Sequence, residues 1–529
     1  GHTVAFVGRA DAPGGGAMLY LRHLDQLVAR PVPGTEGAST PRFSPDDKSL
    51  AFIVNRRKLV KVSLDGGATV PLADIPDLGG VDWSTRDDIV LGAGTIEGLQ
   101  GLFHVKASGG ALVQLTHVDT ARKELSHEYP RVLADGKTVL FTIWYGTVDQ
   151  AELAAASLDD GKVVRLGIPG TQALGVVDGR LVYIRADGMV LAVPFDVGRL
   201  RPTGVATPMP DSVRQLGGGG TGAVEAFLTD AGGLVFGHGA VQRHLVWVDH
   251  AGKAYPAFAD GREFTDLRIS PNGRQVAVTI LTGAKSDIWI LDLAGGTLSP
   301  LTTTGRTRNP AWSPDSRRIL FASTHGGRAA LWWQPVDGSG PAVKAGDPLH
   351  NQWNLDLSPD GHTAVFNAIY NGSFNLESFS LDGAHEEREL AASPTANEVW
   401  GRFSPDGRSV AYQSDESHRA EVYVRPFPED GSRVLISAAG GQRPIWDPDG
   451  KHIYFRVGSK VMSATLARDP ALRVVSREML FDGRYGVNFD VSNDGKRFLM
   501  IEAETTGPSL IVVPNWLTEL RRLTAARKP

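Results

Sequence analysis

Five short stretches of the 529-residue chain between them supply aromatic, cationic, carboxylate and amide side chains. They are His127-Glu128-Tyr129, Arg308-Asn309, Gln352-Trp353-Asn354, Glu398 with Trp400, and Gln442-Arg443. A flat ring gives a ligand something to stack on, and Arg, Glu and amide groups beside it fix orientation through hydrogen bonds. That chemistry suits a peptide, a glycan or a small polar ligand. We take His127, Glu128, Arg308, Asn309, Trp353, Trp400 and Arg443 as the candidate ligand-binding residues. Each also has a plainer reading, since a Trp can simply pack between elements and a charge can sit on a solvated rim.

Catalytic arrangements are absent from the pattern. The chain has no cysteine, which excludes disulfides, thiolate metal sites and cysteine nucleophiles. No Gly-x-Ser-x-Gly elbow precedes an Asp and a His, and His127-Glu128 lacks the second His that a zinc-binding helix requires. The Gly-rich loop, strand lysine and paired aspartates of a kinase core do not occur in order. Gly217-Gly218-Gly219-Gly220 has no strand before it or helix after it and reads as a linker. We therefore expect no catalytic residue, no cofactor and no metal site. Groups from distant repeats could still assemble at one place, so a lyase or hydrolase remains the alternative function. The 54 basic and 59 acidic residues, net −5, offer no footprint for nucleic acid. No apolar run is long enough to span a membrane, so membrane attachment would need a segment outside this chain.

These residues must be positioned by a repeat. One phrase recurs along the chain: an apolar residue, Ser-Pro-Asp-Gly or a decayed form of it, a polar pair, then an apolar strand. It stands at Phe43-Ser44-Pro45-Asp46, Ile269-Ser270-Pro271-Asn272-Gly273, Trp312-Ser313-Pro314-Asp315 and Leu357-Ser358-Pro359-Asp360-Gly361. It returns at Phe403-Ser404-Pro405-Asp406-Gly407, Trp446-Asp447-Pro448-Asp449-Gly450 and Val491-Ser492-Asn493-Asp494-Gly495. Pro presets φ, Asp caps the turn and Gly takes the positive φ. Weaker copies near 87, 135, 178 and 230 give steps of 41 to 52 residues, mostly 42 to 46. Four short strands per such step are the mark of a β-propeller blade, and 62 Gly with 32 Pro suit so many turns.

The fold class is therefore all-β, a β-propeller of about twelve four-stranded blades. Eleven turns are visible, and Gly1-His2-Thr3-Val4-Ala5-Phe6 reads like Gly361-His362-Thr363-Ala364-Val365-Phe366, which implies a twelfth. Propellers typically close with four to eight blades, so two six-bladed rings are expected, with a five-plus-seven division or one large ring as alternatives. The expected domains are 1–260, a first propeller with degenerate repeats, 261–515, a second, and 516–529, a short helix and tail. Apolar residues at 517, 520 and 523 give that helix its spacing. In such a ring the strand running into Ser-Pro-Asp-Gly is innermost, so the candidate residues fall at the channel mouth.

Repeats of this form resemble the TolB-like, WD-repeat-like β-propeller units. More specifically, the segments 401–417, Glu421-Val422-Tyr423-Val424-Arg425-Pro426-Phe427-Pro428 and Val512-Val513-Pro514-Asn515-Trp516 are similar to one particular setting. That setting is the C-terminal extracytoplasmic propeller region of bacterial eukaryotic-like serine/threonine kinases. Leu19-Tyr20-Leu21-Arg22-His23-Leu24-Asp25 and Leu245-Val246-Trp247-Val248-Asp249 fit the same pattern. The resemblance spans nearly the whole chain. It implies a non-catalytic sensor region in the periplasm or at the cell surface of a bacterium. Its partner would be a peptide, a glycan, a small polar ligand or another protein.

Overall fold

In the computed structural model the chain forms, among the described residues, short antiparallel strands along most of its length and one α-helix, Trp516–Ala525. The structure describes residues 2–9, 17–54, 58–75, 78–93, 100–146, 148–214, 224–238, 242–325, 329–346, 349–370, 373–383, 385–393, 396–417, 419–428, 431–469, 471–503 and 509–525. Two compact units are present: Gly1–Gly239 with Pro508–Pro529, and Ala240–Gly507.

In the second unit four sheets have four consecutive strands each, with inner strands Thr307–Trp312, Asn351–Leu357, Glu398–Phe403 and Gln442–Trp446. Two more blades are fused by one long strand, Ala254–Ile269. Its first half pairs with Arg243–Asp249 and its second half with Gln275–Thr282. Arg243–Asp249 also pairs with Arg497–Ala503, which in turn pairs with Tyr485–Val491. The last strands of the unit thus complete the blade begun by its first ones. Each inner strand neighbours the next, and Tyr485–Val491 neighbours Ala254–Ile269, so the circle of six blades returns on itself.

The first unit has six sheets in succession among the described residues. Four of them carry the inner strands Ala38–Phe43, Leu78–Trp83, Ser126–Val132 and Gln172–Val177. The first, Thr3–Arg9 with Ala17–His23 and Arg30–Pro31, has three strands, and so has the last. That last sheet, Ala226–Leu228 with Leu234–His238, takes its third strand, Ser509–Val513, from the far end of the chain.

The twelve-blade expectation therefore appears as six sheets per unit, but the domain limits differ. The boundary lies at 239/240 and not at 260, because residue 260 sits inside the strand that fuses two blades of the second unit. Residues 509–515 and the helix belong to the first unit, where Trp516 and Leu520 are buried against Leu174, Val177 and Phe236. The alternative seam at 217–220 lies outside the described residues.

The core lies between adjacent sheets. Leu320 and Leu331 of one blade pack on Leu355 and Phe366 of the next, and Val422 and Val424 pack on Ile453 and Phe455. Because both faces of a blade are covered, central strands read as continuous apolar runs such as Ile319-Leu320-Phe321-Ala322. Burying each large side chain stabilises the fold by about 1.5–3 kcal/mol.

The repeated turn is held by its own side chains. Ser404 Oγ donates to Asp406 Oδ1 (2.6 Å) and accepts from the Ser409 amide (3.0 Å), while Asp406 Oδ1 also accepts from the Arg408 amide (3.1 Å). The same three bonds recur around Ser44, Ser313, Ser358 and Ser492. Gly407 has φ +71°, and where the repeat lacks Gly the position is filled by Asp47, Asp87 or Ser316 at φ +58°, +64° and +59°. A Cβ at Gly407 would meet nothing nearer than Pro359 Cδ at 3.6 Å, so its cost is backbone strain alone. Gly407→Val should lower unfolding stability by about 1 kcal/mol or more. An unchanged urea midpoint would contradict this account of the turn.

Candidate functional site

An inner strand has a sheet partner on one side only, which leaves the N–H and C=O groups of its other edge to be satisfied elsewhere. In the second unit all six inner strands slip register against their partners shortly before the turn. Such a bulge re-aims one side chain out of the alternating pattern. Asn309, Asn354, Trp400 and Arg443 occupy four of these bulges with φ of +53°, +51°, +63° and +55°. The left-handed region is uncommon for non-glycine residues, and for a bulky side chain it costs on the order of 1–3 kcal/mol that the surroundings must offset.

The bulges bring together the candidate residues of this unit in pairs. The Arg443 guanidinium lies 3.0 Å from the centroid of Trp400, and that of Arg308 lies 5.2 Å from Trp353. Arg443 Nη1 donates to Asn488 Oδ1 (2.6 Å), and Asn488 Nδ2 donates to Asp266 Oδ1 (3.0 Å). Asn309 Nδ2 reaches the other oxygen, Asp266 Oδ2, at 3.4 Å. Asp266 thereby connects Arg443, through Asn488, to Asn309, the residue after Arg308. Burial pushes its carboxyl up, opposed by Arg443 and Arg308. Burial pulls Arg443 down to about 9, opposed by Asp266, so it stays cationic at neutral pH.

The bulges are held from the second strand of the preceding blade. The Trp400 amide donates to Asn367 Oδ1 (3.3 Å), the Arg443 amide to Gln413 Oε1 (3.4 Å), and Arg456 Nη2 donates to the Tyr485 carbonyl (3.3 Å). The Asn354 amide instead uses Asn309 Oδ1 (3.2 Å). Two residues beyond the bulges lies a second charged tier. Asp356 stands 3.5 Å from Arg268 and 3.6 Å from Arg402, and accepts from the Phe403 amide at 3.0 Å. Asp490 accepts from the Ile269 amide at 2.8 Å. Burial pushes Asp356 up to about 6 against the pull of Arg268.

His127 and Glu128, the remaining candidate residues, lie in the first unit. His127 is fully buried, its Nδ1 bonded to Thr116 Oγ1 (2.7 Å) and its Nε2 to Glu124 Oε2 (3.1 Å), with its ring 4.7 Å from Phe141. Burial holds its imidazole down at about 4, so it is neutral. Glu128 is buried and accepts from Ser126 Oγ (2.5 Å). Both precede the bulge residue Tyr129, φ +53°, and strand alternation turns His127 between the sheets. Both side chains are buried in that unit. In the same unit Phe227 lies against two guanidinium groups, Arg42 at 4.7 Å and Arg131 at 5.0 Å, and Asp82 pairs with both.

The sequence reading overlooked Asp266, Asn354 among its selected residues, Asn367, Gln413 and Asn488. Their signal was the period itself: bulge residues 309, 354, 400, 443 and 488 are 45, 46, 43 and 45 apart.

Blades of four antiparallel strands around a returning circle define a β-propeller protein. Residues 265–399 match the family model described as the TolB beta propeller domain, so the repeats of that segment are similar to TolB-type repeats. An uncharacterized protein of Agrobacterium fabrum is 27% identical over 198 residues, which is 35% of this chain and 67% of that protein. The Tol-Pal system protein TolB of Anaeromyxobacter dehalogenans (strain 2CP-C) is 33% identical over 92 residues, 17% of this chain and 19% of the relative. The chain thus spans about a fifth of that relative's length. Among solved structures, TolB from Acinetobacter baumannii is 13% identical with a TM-score of 0.36, covering 73% of this chain and 82% of that one.

Glu398, buried two residues before Trp400, accepts from Ser414 Oγ (3.0 Å), and burial pushes its carboxyl up to about 7. Unfolded carboxyls titrate near ~4, so between about pH 4 and 7 the native chain holds protons that the unfolded chain has lost. The contribution of Glu398 and Asp356 to stability should therefore fall as pH rises through that window. Glu398→Gln should flatten the upper part of the urea-midpoint profile between about pH 5 and 8. Parallel curves for the two proteins would refute it.

Proposed function

We propose that this chain is the non-catalytic ligand-binding region of a bacterial serine/threonine kinase sensor, acting outside the cytoplasm. We propose further that the second unit binds a polar peptide or glycan segment bearing an anionic group. The observation that carries this reading is the pair of Arg–Trp stacks, Arg308 with Trp353 and Arg443 with Trp400, with Asp266 bonded to Arg443 through Asn488 and to Asn309 beside Arg308. A guanidinium on an indole face offers a flat amphipathic platform, and guanidinium N–H geometry matches that of a carboxylate. Placing Trp400 and Arg443 in the left-handed region costs stability, and such strain is concentrated where a side chain must be aimed. The kinase attachment and the location rest on the resemblance of 401–417, 421–428 and 512–516 to kinase sensor regions.

A binding screen against peptides and glycans, followed by Trp400→Ala and Arg443→Ala, tests the site. Each substitution should cost about 2 kcal/mol or more of affinity, roughly thirtyfold, with no product formed. Turnover of a substrate in stoichiometric excess would overturn the reading in favour of a lyase or hydrolase. The kinase attachment is tested separately, by looking for kinase motifs and an apolar span encoded upstream of Gly1.

A further inference from the structure

Three titratable side chains outside the mouth converge within one blade of the second unit. Glu377 lies in the third strand, Ser373–Ser380, Glu387 opens the fourth, Glu387–Ala391, and His350 precedes the first, Asn351–Leu357. His350 Nδ1 stands 3.6 Å from Glu387 Oε2 and 3.8 Å from Glu377 Oε1, and the three donor atoms lie within 4.8 Å of one another. Zinc bonds of about 2.0–2.2 Å in tetrahedral geometry place neighbouring donors roughly 3.4 Å apart. The two separations from His350 are therefore a few tenths of an ångström wider than in a filled site.

Glu387 is oriented for this role. Its Oε1 accepts from Gln352 Nε2 and the Leu349 amide, both at 3.1 Å. Its Oε2 accepts no hydrogen bond from the described residues and faces the other two donors, on a side chain only 5% exposed. Glu377 is equally buried. A cation bound between two carboxylates held this close would offset their mutual repulsion. His350 is partly exposed and gives the site an entrance.

We propose that His350, Glu377 and Glu387 bind a first-row divalent cation of the zinc class. One imidazole and two carboxylates, with no thiolate, favour zinc or manganese over calcium. The donors are 10 and 27 residues apart, a spacing outside any short metal motif. The second grouping of this kind, Asp447, Asp449 and His452, is already committed. Asp447 Oδ2 accepts from the Tyr454 hydroxyl (2.7 Å), and Asp449 Oδ2 pairs with His452 Nδ1 (2.8 Å).

The test is zinc titration by calorimetry of the tag-free, EDTA-treated chain, with melting followed in parallel. One zinc ion should bind per chain and raise the melting midpoint. Glu387→Gln and His350→Ala should each weaken binding at least tenfold, while His452→Ala leaves it unchanged. His350 lies outside the strands, so His350→Ala decides the matter if Glu387→Gln does not fold. No saturable binding up to about 100 µM zinc, unchanged affinity in the His350 variant, or loss of binding in His452→Ala would each overturn the proposal.

Discussion

The unpaired edge of each innermost strand is the constraint that organises the centre of both units. A strand with one sheet partner must find other acceptors and donors for half of its backbone groups, and near the middle of a ring little space is left for water. Here side chains of the preceding blade supply them. Asp82 accepts from the Val132 amide at 2.7 Å, Asp356 from Phe403 and Asp490 from Ile269, each joining one inner strand to the next. The carboxylates are buried to do this, and burial raises Asp356 and Asp490. Arg268 and Arg402 offset the cost for Asp356, so the ions at the centre follow from a backbone requirement.

The bulge belongs to the same solution. It interrupts pairing with the second strand and frees an amide, which Asn367 or Gln413 then captures from the neighbouring blade. Once the backbone is clamped in the left-handed region, the side chain at that position can vary. Asn309, Asn354, Trp400 and Arg443 share the conformation and differ entirely in chemistry. A rigid frame with a variable inner position is an economical way to build a recognition surface. In the first unit Phe227 is already covered by Arg42 and Arg131, whose charges meet Asp82. The second unit instead presents indoles stacked on guanidinium groups.

The turn and the blade were legible in the residues because their causes are local. Ser404, Asp406 and Gly407 make their bonds within five residues of one another, so Ser-Pro-Asp-Gly carries its own structure wherever it occurs. The regular step between turns then implied blades and, with the usual ring sizes, six per unit. The helix from Trp516 was likewise visible in its apolar spacing, since a helix repeats over a few residues.

Other features were decided only when distant segments met. Nothing local in Arg497–Ala503 says that it pairs with Arg243–Asp249, or that Ser509–Val513 joins a sheet of the first unit. Each pairing depends on which strand was left with an open edge. That is why the boundary fell at 239/240 and not within Ala254–Ile269. Register decided the site in the same way. His127 and Trp400 lie at nearly the same distance before their turns, yet one is two residues ahead of a bulge and buried while the other occupies it. A bulge departs from the two-residue alternation of a strand, so the side chain in it is re-aimed while its neighbours keep their faces. The sequence alone therefore determined the repeat and its chemistry, and the tertiary structure decided which of those residues meet, because register and closure depend on partners far along the chain.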